Sequence, residues 1–292
     1  MTKSSRRPHG TTLDPNHPAR DLQELLTEND KEHMRLCVDA EARGDVDGAL
    51  KHYLAAPHVE GAPQLHDLQI LSSLDNSLGN SLGNAVPAWA WSRWICDQAH
   101  RWLLFEEDPR IRDAVLHTIV TVHADLDALH LEDPDELLEI GTRLAVAHWI
   151  TAQLLLFEFS GLRDFVDVKA TPELLGRADE MEPWAASAMG GYRIIEAHDD
   201  VIELIDLANG SRVDVLNIGA ATGVERDAVV IGRVVPISTA PGLMFESRPL
   251  EVDDQTARDV SQADGLEWLN AVYEAVVTGR LPEGYGMGDH RR

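Results

Sequence analysis

The sequence predicts an α+β fold, in which a mainly helical N-terminal domain is followed by a small antiparallel β-barrel-like module and a C-terminal helix. Three observations predict it. Up to about residue 185, apolar residues recur every three or four positions, the period of a helix with one buried face. Near Gly190 the period drops to two, as in Arg212-Val213-Asp214-Val215, where one side of a strand is wet and the other dry. Between two such runs stands Asn209-Gly210, the strongest short signal for a β-hairpin. The expected organisation is a disordered tail over 1–20, a helical domain over 21–185, the β-module over 190–252, the C-terminal helix within 253–280 and a tail over 281–292.

Composition bounds the class. The chain has 292 residues, 44% hydrophobic and 26% charged, enough to bury a core without staples. Its two cysteines, Cys37 and Cys96, stand far apart. That argues against a disulfide framework or a four-cysteine zinc site and fits a reducing, cytoplasmic setting. The basic opening, Met1 to Gly10, is followed by no apolar stretch of the secretory kind. The most apolar run, Leu144–Phe159, includes His148, Gln153 and Glu158, is shorter than the ~20 residues of a spanning helix, and reads as a buried core helix. The net charge is −25; Lys3, Arg6, Arg7 and Arg20 against Asp14 make the first twenty residues +3, so the remainder carries −28. Such a body repels phosphate backbones and anionic lipid, so nucleic acid is an unfavourable partner, membrane is excluded, and a basic protein is favoured.

Taken in order, residues 1–20 are polar and unpatterned. A helix is expected from Asp21 to about Arg43, broken by Gly44-Asp45, then a second to Ala56, stopped by Pro57. Ala40, Ala42, Gly44, Ala49, Leu50, Tyr53 and Ala56 are small or apolar where two helices of a tight hairpin would touch, and the segment resembles one unit of a tetratricopeptide (TPR) repeat. A helix around Leu65–Leu78 leads into the tandem Asn76-Ser77-Leu78-Gly79-Asn80-Ser81-Leu82-Gly83, read as a helix end and an expanded loop. Pro87, Asp108-Pro109 and Asp133-Pro134-Asp135-Glu136 then open three longer helices. The third puts Leu137, Gly141, Leu144, His148, Thr151 and Leu155 on one stripe, with His148 a hydrogen-bonded core histidine. Thr171-Pro172 opens a short helix. Strands are expected at Tyr192–Ala197, Val201–Leu207, Arg212–Leu216, Val229–Ile237 and Leu243–Val252, and a final helix over Gly265–Thr278, ending at Gly279.

With Trp91-Ser92-Arg93-Trp94-Ile95-Cys96-Asp97-Gln98-Ala99 and the pair of strands carrying Phe245-Glu246-Ser247-Arg248-Pro249, this layout resembles uncharacterised actinobacterial proteins that join a helical, TPR-like front to a small β-module. Some relatives of that type carry a cysteine-rich, zinc-binding SEC-C tail, but residues 253–292 contain no cysteine. The resemblance therefore implies architecture and no activity.

Motifs that would carry chemistry are few. Val215-Leu216-Asn217-Ile218-Gly219-Ala220-Ala221-Thr222-Gly223 is similar to the glycine-rich turn of S-adenosylmethionine-dependent methyltransferases. Asn217 and Ala221 depart from that pattern, however, and a strand follows where a helix is needed. His117, His123 and His130 sit in one helical stretch near Asp113, Asp125 and Asp127, but a gap of seven residues separates His123 from His130 by ~10.5 Å, too far for one ion. No metal ligand set, cofactor loop or catalytic residue is assigned, and there is no nucleophile elbow or phosphate loop. Seven of the sixteen aromatic residues are Trp, four of them within Trp89–Trp102. Trp91, Trp94, Ile95, Gln98 and Trp102 share a face suited to a buried seam, whereas Trp89 and Arg93, four apart on another side, pair the two residue types that anchor interfaces. The expected role is therefore a non-enzymatic protein-binding or regulatory one through the helical surface, with Trp89 and Arg93 as interface residues. The alternatives are an enzyme whose site is dispersed over several helices and a nucleic-acid-linked role for the β-module.

Overall fold

The structure, a computed structural model, describes residues 12–13, 27–59, 64–65, 68–69, 71–72, 86–123, 134–198, 200–218 and 226–282, the stretches 12–13, 58–59 and 134–139 as backbone only. The expected tandem at Asn76–Gly83, most of the helix around Leu65–Leu78, His130 and the turn Gly219–Gly223 lie outside the described residues.

Helix α1, Glu28–Ala42, begins at Thr27, whose hydroxyl accepts from the Asp30 N–H while the Asp30 carboxylate accepts from the Thr27 N–H at 2.8 Å. Gly44, at φ +69°, turns the chain, and Asp45 caps α2, Val46–Ala55. Strand β1, Thr12–Leu13, pairs parallel with β2, His58–Val59. The punctuation signals open the next helices as expected. Pro87 precedes α3, Ala88–Phe105; Pro109 precedes α4, Arg110–Val122; and Pro134 begins α5, Pro134–Ala147.

Two helical expectations fail. The stripe from Leu137 to Leu155 is not one helix. His148 leaves helical geometry (ψ 125°), and its Nδ1 accepts from the Ile150 N–H at 3.2 Å, so the imidazole caps a new helix, α6, Trp149–Gln153. Its burial, 1% exposed, agrees with a core histidine. Likewise α4 stops at Val122 and His123 is extended, so His117 and His123 do not share a helix. After α6 the chain forms a π-helical turn, Leu154–Glu158, closed by the Phe159 N–H to the Leu154 carbonyl at 2.8 Å. Helices α7, Gly161–Val168, α8, Pro172–Leu175 (capped by Thr171), and α9, Met181–Ala185, complete the helical part.

The β-module is a seven-stranded curled sheet in the order β7-β8-β5-β4-β3-β6-β9. Its strands are β3 (Gly190–Ala197), β4 (Val201–Asp206), β5 (Arg212–Leu216), β6 (Val229–Gly232), β7 (Val234–Pro236), β8 (Leu243–Phe245) and β9 (Leu250–Glu251). The β4–β5 hairpin turns at Asn209-Gly210, with Gly210 at φ +76°. The sheet is mixed rather than purely antiparallel, because β8 returns beside β5 in parallel. Val229–Ile237 and Leu243–Val252, each expected as one strand, are both broken. Strands β6 and β7 are separated in sequence by Arg233 alone, yet lie at opposite flanks of the sheet order. The sheet must therefore curl until its flanks meet at Arg233, the half-barrel that an unbroken strand could not form. One face is filled by Ile194, Ile202, Leu204, Val215, Val230 and Phe245. The other packs on helices, including α10, Asp254–Ser261, and α11, Trp268–Val277, so the C-terminal segment holds two helices where one was expected.

Helix α10 lies so close to β3 that a Cβ on Gly191 would stand 2.0 Å from the Ala257 carbonyl oxygen. Gly191→Ala is expected to cost about 2–3 kcal/mol of stability, because backbone must move. Gly210→Ala, with open space but a positive φ, should cost about 1 kcal/mol. Urea unfolding measures both, and a larger loss for Gly210→Ala would contradict this packing.

Candidate functional site

Among the described residues, buried charge gathers where the sheet flanks meet the π turn. Arg233 is 3% exposed, and each of its three guanidinium nitrogens has a protein acceptor. Nε donates to Gln153 Oε1 at 2.8 Å, Nη2 pairs with Glu158, Nη1 donates to the Ser187 carbonyl, and the plane stands 4.5 Å over the Phe157 ring. Burial lowers the Arg233 pKa, and the charges of Glu158 and Glu246 oppose that effect. Gln153 in turn donates to Glu246 Oε2 at 3.0 Å, Trp268 Nε1 donates to Glu158 Oε1 at 2.9 Å, and Trp149 Nε1 donates to Ser247 Oγ at 3.1 Å.

The local fold explains this convergence. Inserting one residue into the helix as a π turn buries Leu154, Leu155, Leu156 and Phe157 in succession while turning Glu158 toward Arg233. The chain then leaves through Ser160 in the left-handed region (φ 61°) and Gly161, where a Cβ would lie 2.4 Å from the Leu155 carbonyl oxygen. Every nitrogen of the guanidinium meets a protein acceptor, which is the chemistry of a strut joining two elements.

A second polar group is built differently. Glu41 of α1, 3% exposed, accepts from Gln64 Nε2 at 2.7 Å and from Arg101 Nη2 at 3.4 Å, and Arg101 stacks 4.7 Å over the Trp94 ring. Cys37 lies beside Glu41 at 3.9 Å, its thiol pKa pushed up by burial and then by that carboxylate. On α3, however, Trp94 Nε1, both amide atoms of Gln98 and Arg101 Nε are buried without a hydrogen-bond partner among the described residues. An orphaned buried donor or acceptor costs about 1–3 kcal/mol, so this seam is under-satisfied where the Arg233 junction is complete.

The tryptophan seam is as expected for Trp91, Trp94, Ile95 and Gln98, all buried, with Trp102 half-buried. Trp89 and Arg93 are both half-buried; Trp89 packs on the core of Trp91 and Trp94, and neither joins the charged junction. Among the described residues no group of three or more His, Cys, Asp or Glu could hold a metal ion. No described helix is long and apolar enough to cross a membrane.

Sequence reasoning missed Gln153, Glu158, Arg233 and Glu246. The signal was present: Arg233 interrupts an apolar β run, Glu246 ends one, and Glu158 interrupts an apolar helical run. Opposite charges inside neighbouring buried elements imply each other, because neither tolerates burial alone.

Comparison with known proteins gives no match: no family model matches the chain, and no curated protein or solved structure matches it at a significant level.

Gln153→Leu conserves bulk but strips Glu246 and Arg233 of hydrogen bonds, and is expected to cost about 2–4 kcal/mol. Denaturant unfolding measures it, and a loss below about 1 kcal/mol would show that the junction does not depend on this amide.

Proposed function

We propose that the chain is a non-enzymatic protein-binding module that engages its partner through its helical surface. The observation that carries this reading is a set of large apolar side chains standing in water at helical spacing. Helix α4 exposes Leu116 at 49% and Val120 at 50%; α11, packed against it, exposes Tyr273 at 36% and Val277 at 46%. Single exposed apolar residues are ordinary, but i,i+4 pairs on two adjoining helices are the pattern by which helical surfaces take a partner. The buried charges support the same reading, because the Arg233 junction spends its groups on one another.

The partner is a basic protein, attracted by the charge of −25 and seated by apolar contact. Trp89 and Arg93 form a second contact point on α3, half-buried and therefore part scaffold. The alternative, an enzyme with a site dispersed over several helices, draws on the unpartnered Trp94, Gln98 and Arg101 atoms.

The test is affinity capture from the native host with wild type, Leu116→Glu/Val120→Glu, Tyr273→Glu/Val277→Glu and Trp89→Ala, each checked for folding by circular dichroism. A specific protein retained by wild type should be lost at least about tenfold, the factor of 1.4 kcal/mol, by one folded double variant, with association slowing as salt rises. Equal retention by all folded variants would contradict the proposal.

A further inference from the structure

Helix α1 runs out and α2 runs back beside it, turned at Gly44 (φ +69°) and capped by Asp45. Cys37 and Ala40 of α1 and Val46 and Ala49 of α2 are buried in one cluster, so the two helices pack along their length. His33 lies one turn before Cys37, and His52 three residues after Ala49, which puts both at the open end of the hairpin on the facing sides. There His33 Nδ1 stands 3.1 Å from His52 Nδ1. The ring centroids are 5.4 Å apart, with the planes tilted by 37°. Both residues are half-buried, and so within reach of solvent.

Two imidazole nitrogens this close share either a hydrogen or a metal ion. An ion held by two imidazoles at ~2.05 Å keeps their nitrogens ~2.9 Å apart at a right angle and ~3.3 Å apart at the tetrahedral angle. The separation of 3.1 Å falls between these limits. In the hydrogen-bonded pair the nitrogens face each other along the line between the rings, and coordination turns each ring by about 40°, within the broad χ2 range of His. The ring that carries Nδ1–H takes the Nε2–H tautomer, so that both Nδ1 atoms offer a lone pair. Nearby charges are mixed: Glu32 and Asp45 attract a cation, whereas Lys51 and Arg43 repel one. Glu32 is bound by Arg35 at 2.9 and 2.7 Å, and Asp45 accepts from the Gly48 N–H at 2.9 Å. The protein therefore supplies two nitrogens, and water completes the coordination.

We propose that His33 and His52 form a two-histidine site for a borderline divalent transition-metal ion, of the Zn²⁺, Ni²⁺ and Cu²⁺ kind that imidazole selects over Mg²⁺ and Ca²⁺. A bound ion clips the open end of the hairpin and stabilises it in step with occupancy. The pair falls short of the three or more ligands that no described group supplies, so the site is open and exchangeable rather than a closed structural one. Preorganisation favours it: two ligands 19 residues apart in sequence are set at chelating distance by a packed helix pair. The site is separate from the α4 and α11 surface and independent of the proposed protein-binding role.

Titration calorimetry of the full chain with Zn²⁺ tests it, in excess Mg²⁺ to occupy the exposed carboxylates of an acidic protein. Wild type is expected to take up one equivalent that His33→Asn and His52→Asn each weaken at least about tenfold, the factor of ~1.4 kcal/mol. His117→Asn, on α4, should bind as wild type does. Zn²⁺ uptake no tighter than that of Mg²⁺, or undiminished binding in both variants, overturns the proposal. If the variants do not fold by circular dichroism, amide exchange of the wild type decides. Protection of residues 28–55 by Zn²⁺ without protection of 190–206 supports the site; no protection of 28–55, or equal protection of both, overturns it.

Discussion

A guanidinium cannot be taken out of water alone, and the architecture of this chain follows from where Arg233 is placed. It stands at the one residue between β6 and β7, strands that lie at opposite flanks of the sheet. Curling the sheet to a half-barrel therefore carries this charge inward, where it needs acceptors. They come from outside the sheet: Glu158 and Gln153 from the π turn and the helix before it, and the Ser187 carbonyl from the segment after α9. The same contact that closes the β-module thus fixes how the helical part sits on it, and Trp268 brings α11 to the same carboxylate. An apolar residue at 233 could pack, but it would not demand these partners.

The fold was legible in the sequence wherever a local rule decided it. Prolines located the starts of α3, α4, α5 and α8, Gly44-Asp45 marked the break between α1 and α2, and Asn209-Gly210 located the central hairpin. What was hidden is non-local. His148 sits at a helical position of an apolar stripe, and only its imidazole bond to the Ile150 N–H reveals a cap. Two runs, Val229–Ile237 and Leu243–Val252, read as continuous strands because each begins and ends on apolar residues. Each breaks at a buried charge, Arg233 in one and Glu246 in the other, and the meaning of those charges depends on Gln153 and, for Arg233, Glu158, 75 to 93 residues away. The exposed pairs on α4 and α11 were equally silent, since periodicity states which residues share a face and not what covers that face.

The interior holds two polar arrangements of opposite character. At Arg233 the buried groups answer one another, and the result is rigidity. On α3, Trp94 Nε1, Gln98 Oε1 and Nε2, and Arg101 Nε find no hydrogen-bond partner among the described residues, and burial there is left uncompensated. A satisfied junction between sheet and π turn and an under-satisfied seam on α3 thus give the two regions different local energetics, as stability differs between elements of one fold.

The central claim is that Arg233 and Glu158 act as one unit joining the sheet corner to the π turn. A double-mutant cycle with Arg233→Met, Glu158→Gln and the combined variant, measured by urea unfolding, tests it most directly. The account predicts a coupling of about 2 kcal/mol or more, each single change being costly because it strands the other partner, and the second change adding little. Losses that add to within about 0.5 kcal/mol would contradict it.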